Sequence, residues 1–298
     1  MRENKVIYGL IGYGGMGRWH TEILSNVPEI EIGGIYDIKE EKRIEAKEKG
    51  FSVYGSEEEM LSDPDIDVVL IATPNDCHKP IAIRAMHAGK NVISEKPVTL
   101  SSSDLEEMVN VAKETGKFLT VHQNRRWDDD FLIIRKLVEE QKLGRVFRIE
   151  SRVHGSRGIP GDWRKEKIHG GGMVLDWGVH LLDQILYLYG DRKIETVYAS
   201  LTHITNQEVD DGFTTILTFE GGTEVLVEVG TNNYISLPRW YVLGEDGTAV
   251  IRDWQLNGEI IRKTGKTEEK VVPVKTAAGL TKTCLLYTSD AADDTPCV

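Results

Sequence analysis

Six residues near the start of the chain constrain its fold more than any others: Gly12-Tyr13-Gly14-Gly15-Met16-Gly17, a G-x-G-x-x-G run. Alone the pattern is weak evidence. Here it follows an apolar stretch, Val6–Gly12, and leads into a helical pattern, Gly17–Val27. Asp37 then closes the next apolar stretch, Ile30–Asp37, at the distance expected of a dinucleotide-binding β-α-β unit. In such a turn Gly12 permits the tight bend, Gly14 lets the backbone approach a pyrophosphate, and Gly17 allows close helix–strand packing. The helix N-terminus adds N–H groups and a positive dipole end. A carboxylate at Asp37 accepts hydrogen bonds from a ribose 2′-hydroxyl and repels a 2′-phosphate, which favours NAD over NADP. Lys39, Lys42 and Arg43 read as an exposed helix face of mixed charge.

Further strand candidates follow at Val68–Thr73, Asn91–Ser94 and Phe118–His122, separated by helical patterns at Glu40–Lys49, Glu57–Leu61, His78–Ala88 and Ser101–Thr115. Continuous Val- and Ile-rich strands alternating with helices predict a doubly wound parallel sheet. Ser101 is placed to cap the last helix and Gly116 to end it. Beyond residue 123 the pattern changes. A helix is expected over Asp129–Gln141, a strand over Arg145–His154, a Gly- and Arg-rich loop to Gly172, and a helix over about Met173–Tyr189. Strand candidates then run at Glu195–His203, Phe213–Phe219, Thr223–Val229, Trp240–Leu243, Thr248–Ile251 and Val271–Val274. Glu220-Gly221-Gly222 and Glu245-Asp246-Gly247 are hairpin signals. The fold class is therefore α/β: an N-terminal Rossmann domain, then an α+β domain with a mostly antiparallel open sheet. The expected domains are 1–123, 124–283 and a tail, 284–298.

A length of 298 residues suits two domains. The net charge of −12 argues against nucleic acid or an anionic membrane as partner. Apolar runs such as Val68 to Ala72 are too short to span a bilayer. No charged-then-apolar leader opens the chain, and three cysteines without paired spacing give neither a disulfide framework nor a zinc site. A reducing cytoplasm is the expected home. Cys77 reads as a small apolar filler. The last residues, CLLYTSDAADDTPCV from Cys284 to Val298, look like a translated sequencing adapter. They are expected to be non-native and loosely placed, on a chain truncated near Thr283.

Chemistry-bearing residues gather where parallel strands end. Ala72-Thr73-Pro74-Asn75 closes one strand and Ser94-Glu95-Lys96-Pro97 another, positions at which ligands bind in open α/β sheets. Lys96, pinned by Pro97, reads as functional, while Glu95 reads equally as an acceptor holding the turn. Asp176 and His180 follow Gly170-Gly171-Gly172 and sit four apart, on one helix face. A carboxylate there can orient the imidazole and stabilise its cation, the pattern of a general base near neutral pH. Asp183 reads as structural. Trp163 and Arg164 precede the glycines and suit a sugar face and its hydroxyls. His122 and Asn124 lie at the junction of the two halves and are read as substrate-lining, with Arg125 and Arg126 as interdomain ion-pair residues. His154, His169, Asp176 and His180 form no compact ligand motif, so no metal is expected.

Together these motifs, with Asn124-Arg125-Arg126-Trp127, resemble the Gfo/Idh/MocA oxidoreductase family, which includes inositol dehydrogenases. The resemblance covers about residues 5 to 275. It implies a Lys96, Asp176 and His180 catalytic constellation, a Lys96–Pro97 bond that is often cis, and a homodimer or homotetramer formed through the C-terminal sheet. Asn124 to Asp128 with Phe131 leans toward the scyllo-inositol dehydrogenase-like branch, which often uses NADP; Asp37 departs from that preference. The implied activity is hydride transfer between NAD and a secondary alcohol of an inositol, polyol or sugar. NAD-dependent glycoside cleavage and a non-catalytic sugar or cofactor sensor are the alternatives. The expected cofactor contacts are Gly12, Tyr13, Gly14, Gly15, Met16, Gly17, Asp37, Ile38, Thr73, Pro74, Asn75, His78, Glu95 and Lys96. The expected substrate contacts are Lys96, His122, Asn124, Trp163, Arg164, Asp176 and His180.

Overall fold

The structure is a computed structural model that describes residues 5–263, with strand backbone at 265–267, 269–275 and 281–287. The chain divides into two compact units. The first is Met1–Gln123 with Ile168–Gly170, and the second is Asn124–Lys167 with Gly171–Val298.

In the first unit, strands β1 (Val6–Ile11), β2 (Ile30–Tyr36), β3 (Val68–Ile71), β4 (Asn91–Ser94) and β5 (Leu119–Val121) form a parallel sheet in the order β2-β1-β3-β4-β5. Helices α1 (Gly15–Leu24), α2 (Glu40–Glu48), α3 (Glu57–Ser62), α4 (His78–His87) and α5 (Ser102–Thr115) supply the crossovers. Ile7, Val69, Ile71 and Val92 pack with Met60, Met86 and Met108, whereas Leu10, Ile35 and Leu70 pack with Tyr13 and Ala46. Both sheet faces are thus covered, the physical reason for the unbroken Val/Ile runs. Ser101 Oγ accepts the Asp104 N–H, and Gly116 closes α5 in the left-handed region at φ 64°. The strand order reverses between β1 and β3, the switch point at which such sheets hold ligands.

The second unit opens with α6 (Asp129–Glu139) and β6 (Val146–His154). A π-helical segment, Val174–Gly178, leads into α7 (Val179–Tyr189). Strands β7 (Ile194–Thr202), β8 (Gly212–Phe219), β9 (Thr223–Gly230), β10 (Trp240–Gly244), β11 (Gly247–Ile251), β12 (Gly258–Arg262) and β13 (Gly265–Thr267) complete an eight-stranded sheet with β6. Its order is β13-β12-β11-β10-β6-β9-β8-β7. The β6–β9 pair is parallel and the other neighbours are antiparallel. Phe131, Ile134 and Leu137 of α6 and Leu181 and Ile185 of α7 pack with Ile149, Leu217, Val225, Val227 and Trp240 in one core. Alternate residues of β6 and β9 carry an ion-pair ladder, with Arg148 on Glu150 and Glu224 and Arg152 on Glu150 and Glu228. Gly221 and Gly222 both take positive φ, 88° and 80°, as a tight β8–β9 hairpin requires.

Three expectations need correction. The helix expected from Met173 is π-helical in its first turn. Strands β12 and β13 were not anticipated, because Ile260 and Ile261 are too few apolar residues to give an alternation. The tail meets structure as well: β15 (Thr281–Tyr287) pairs antiparallel with β14 (Glu269–Lys275), with Cys284 opposite Val272 and Tyr287 opposite Glu269. Cys284 to Tyr287 is therefore regular backbone on a strand edge, which any β-prone segment can extend by backbone pairing. Residues 288–298 lie outside the described residues.

Candidate dinucleotide site and reacting residues

The glycine turn behaves as its spacing demands. Gly12 takes φ +96°, and a Cβ there would lie 2.5 Å from the Ala72 carbonyl oxygen. A Cβ on Gly17 would lie 2.1 Å from the Gly12 carbonyl oxygen, so α1 can pack against the turn only with glycine. Gly14 and Gly15 are different, since a Cβ on either meets nothing within 4 Å. The turn thus presents open backbone at the start of α1, where a diphosphate takes N–H hydrogen bonds. The Tyr13 ring is fully buried in the core, leaving its backbone at the turn. That N–H donates to Asp37 Oδ2 at 2.7 Å, and Lys39 N–H donates to Asp37 Oδ1 at 2.8 Å. Each oxygen keeps capacity for a further donor. Arg43 is committed elsewhere, with its Nη1 donating to the Asp37 and Ile38 carbonyls. Lys42 pairs with Glu45, which also holds Arg18, and these cations keep the Glu45 carboxyl down at about 2. The Ile38 side chain is exposed.

The ends of β3 and β4 are tied together by His78. Its ring is fully enclosed, with Nδ1 2.8 Å from the Pro97 carbonyl and Nε2 3.0 Å from the Thr73 carbonyl. Burial pushes its pKa down. His78 therefore braces the Thr73 and Lys96 loops. Asn75 is likewise buried and donates to the Gly170 carbonyl at 2.8 Å. Lys96 is half-buried beyond β4, and the Lys96–Pro97 bond is cis. Glu95 is the hub beside it. Its Oε1 takes His20 Nε2 at 2.7 Å and His122 Nδ1 at 3.0 Å, and its Oε2 takes the Lys96 N–H at 3.2 Å. The two imidazoles hold the Glu95 carboxyl well below the usual carboxylate range, against its burial. Sequence reading missed His20, although its place three residues beyond Gly17 on the buried side of α1 was a usable signal.

In the second unit, Asp176 lies in the π-helical segment and His180 in the first turn of α7. Asp210 sets that segment. Its Oδ2 accepts the Met173 and Val174 N–H groups, both at 2.9 Å. Burial pushes the Asp210 carboxyl up, opposed by those donors. A Cβ on Gly172, at φ +100°, would lie 2.3 Å from Asp210 Oδ1, so the third glycine is what admits the cap. The readable signal for Asp210 was the acidic pair Asp210-Asp211 before β8. Arg164 Nε lies 3.2 Å from Asp176 Oδ1, and its guanidinium lies 4.6 Å from the centre of the Trp163 ring. Arg164 thus holds Asp176. Asn124 opens the short 3-10 turn Asn124–Trp127. Arg125 and Arg126, expected as interdomain ion-pair residues, make their ion pairs within the second unit instead. Arg125 pairs with Asp128 and stacks 4.1 Å from Trp177, while Arg126 makes a two-pronged pair with Asp183, all within the second unit. Their acids lie one turn away or on α7, a local arrangement the sequence junction does not reveal. Asp183, read as structural, is the acid of the Arg126 pair.

Among the described residues, the His/Cys/Asp/Glu group with ligand-type atoms within 4.8 Å of one another is His20, Glu95 and His122. It contains none of the four residues weighed for a metal in the sequence. His169 instead meets Asp76, and the buried His154 lies 3.6 Å from Glu228. No described helix is long and apolar enough to cross a membrane.

A parallel sheet with this glycine turn at its switch point defines a dinucleotide-binding class. Comparison with known proteins gives the family: residues 6–123 match the oxidoreductase family NAD-binding Rossmann fold, and residues 131–250 match the GFO/IDH/MocA C-terminal domain. The chain belongs to the Gfo/Idh/MocA oxidoreductase family. An NAD-binding protein from Listeria innocua is 54% identical with a TM-score of 0.86, over 87% of this chain and 77% of that one. The scyllo-inositol 2-dehydrogenase (NADP(+)) of Bacillus subtilis (strain 168) is 30% identical over 81% of this chain and 67% of its own length. The uncharacterized oxidoreductase YdgJ of Escherichia coli (strain K12) is 37% identical over 63% of this chain, a match spanning 55% of that relative.

Proposed function

We propose that the protein transfers a hydride between NAD and a secondary alcohol of an inositol, polyol or sugar. The observation that carries this reading is the open backbone of Gly14 and Gly15 at the start of α1, beside an Asp37 carboxylate fixed by two backbone N–H groups. That arrangement fits a diphosphate and an unphosphorylated ribose, with Gly12 to Gly17 and Asp37 as the holding residues. When bound, NAD supplies the hydride acceptor at its nicotinamide C4. The chain's own residues manage position and protons. His180 accepts the hydroxyl proton, and Asp176, held by Arg164, orients the imidazole and stabilises its cation. Lys96 donates a hydrogen bond to the reacting oxygen and stabilises its developing charge. The inositol substrate of the Bacillus subtilis relative supports the polyol class, while its NADP dependence makes Asp37 the deciding residue here.

The test is turnover. A panel of inositols and sugars is offered with NAD and with NADP, and reduced nicotinamide is followed by absorbance. The proposal expects net NADH formation with at least one cyclitol or sugar, and NAD binding about tenfold tighter than NADP, roughly 1.4 kcal/mol. Equal affinity for the two cofactors contradicts the role of Asp37. Net NADH formation also separates a dehydrogenase from glycoside cleavage by transient oxidation.

A further inference from the structure

The roles above leave a buried carboxylate–imidazole group unexplained. His20 and Glu95 are 4% and 5% exposed, and both His20 and His122 approach the same oxygen, Glu95 Oε1. An ionised carboxylate only accepts hydrogen bonds. Each imidazole nitrogen facing it must therefore carry a proton. Neutral His20 is then the Nε2–H tautomer and neutral His122 the Nδ1–H tautomer. This is the logic by which a carboxylate fixes an imidazole in catalytic triads. The His122 ring is also held by packing, with its centroid 4.6 Å from that of His20 and 5.7 Å from that of Trp19.

The consequence falls on the other nitrogen. In the neutral Nδ1–H form, His122 Nε2 carries a lone pair, and the side chain is 26% exposed. No described residue donates a hydrogen bond to it. His122 directly follows β5, and its backbone N–H donates to the Ser94 carbonyl at 2.9 Å, so it sits beside the strand end that carries Lys96. We propose that His122 Nε2 accepts a hydrogen bond from a substrate hydroxyl next to the reacting carbon, which makes vicinal diols the preferred substrate class. Glu95 and His20 are positioning residues in this scheme, since they fix the His122 tautomer and ring without touching substrate. The step is a hydrogen bond only, and no proton leaves the hydroxyl. The proposal rests on the dehydrogenase reading for its kinetic consequence, but the tautomer and the contact exist independently of turnover.

Two measurements test it. In the first, kcat/KM is compared for a cyclitol and for its deoxy analogue lacking the hydroxyl beside the reacting carbon. A site built to bond a hydroxyl discriminates strongly against the analogue that lacks it. His122→Phe should lower the cyclitol-to-deoxy ratio at least tenfold, and Glu95→Gln, which unlocks the tautomer, should lower it in the same direction. An unchanged ratio in both variants overturns the proposal. In the second, nitrogen NMR of the unmodified protein reads His122 directly. The expected result is the Nδ1–H tautomer, with an Nε2 resonance that shifts when scyllo-inositol is added to the NADH-loaded protein. An Nε2–H tautomer, or an Nε2 resonance indifferent to a cyclitol that is turned over, contradicts the proposal. A shifting Nε2 without any turnover leaves the contact standing and removes the dehydrogenase reading instead.

Discussion

Asp37 and Glu95 both follow parallel strands, yet their surroundings set them to different tasks. Asp37 is held by backbone N–H groups on a rim where the next residue, Ile38, is 83% exposed. It can meet a ligand. Glu95 is enclosed and spends its oxygens on two imidazoles and the Lys96 N–H. Its pH linkage has a definite sign. The folded protein holds the Glu95 carboxyl below its ordinary value of 4.5. Its contribution to stability is therefore present above pH 4.5 and fades as the pH falls below it. His20, His122 and Lys96 are the groups that favour the anion, and His78 lies close enough to feel its charge. Thermal unfolding followed from pH 7 to pH 3 should show a steep loss in the unmodified protein. Glu95→Gln should start less stable at pH 7 and lose less on acidification. Parallel curves contradict this assignment. The roles of Gly12 and Gly17 were legible in sequence because each answers a steric demand that spacing encodes. The Glu95 hub was not, because His20, Glu95 and His122 lie 75 and 27 residues apart in sequence and meet only through strand order.

At the scale of elements, the π-helical turn Val174–Gly178 is the feature with most bearing on the residues proposed to act on the substrate. Asp176 and His180 are four apart, and sequence placed both on one face of an ordinary helix. A cap and a packing contact that no periodicity shows flank the turn. Asp210 holds the first N–H groups, and a Cβ on Gly178 would lie 2.9 Å from the Phe213 ring. π-turns are uncommon and gather at functional sites. Replacing Asp210 by Ala removes the acceptor for one buried and one part-buried N–H group and should destabilise the protein by about 1–2 kcal/mol. The same variant should lower turnover more than it lowers NAD affinity, because the cofactor turn lies in the other unit. Differential unfolding and cofactor titration separate the two effects, and equal losses in both contradict the local role. The parallel sheet, by contrast, was legible strand by strand, since strands covered on both faces leave uninterrupted apolar runs. Strand β12 escaped because its burial is confined to Ile260, at 3% exposure, while Ile261 faces out at 46%.

At the scale of the whole molecule, the eight-stranded sheet is helix-covered along its middle and bare at β7. Val197, Tyr198 and Leu201 are 64%, 59% and 51% exposed on that edge strand. Val197 and Leu201 lie opposite Leu217 and Phe213 in register, so apolar surface continues past the core without cover. We propose that a second copy of the chain covers it, the homo-oligomer expected through the C-terminal sheet. An exposed apolar strand edge is otherwise an aggregation liability. Sedimentation of the unmodified protein should show a dimer or tetramer, and Leu201→Glu should shift it toward monomer. A monodisperse monomer at high concentration contradicts this reading. Lys96 and His180 are proposed to serve one hydride transfer to NAD. The direct measurement is NADH formation from the best cyclitol or sugar by the unmodified protein, Lys96→Ala and His180→Ala, with NAD affinity measured in parallel. Turnover should fall about a hundredfold or more in both variants, the scale of acid–base and oxyanion stabilisation, with NAD affinity nearly retained in His180→Ala. Near-normal turnover in His180→Ala would contradict this proposal.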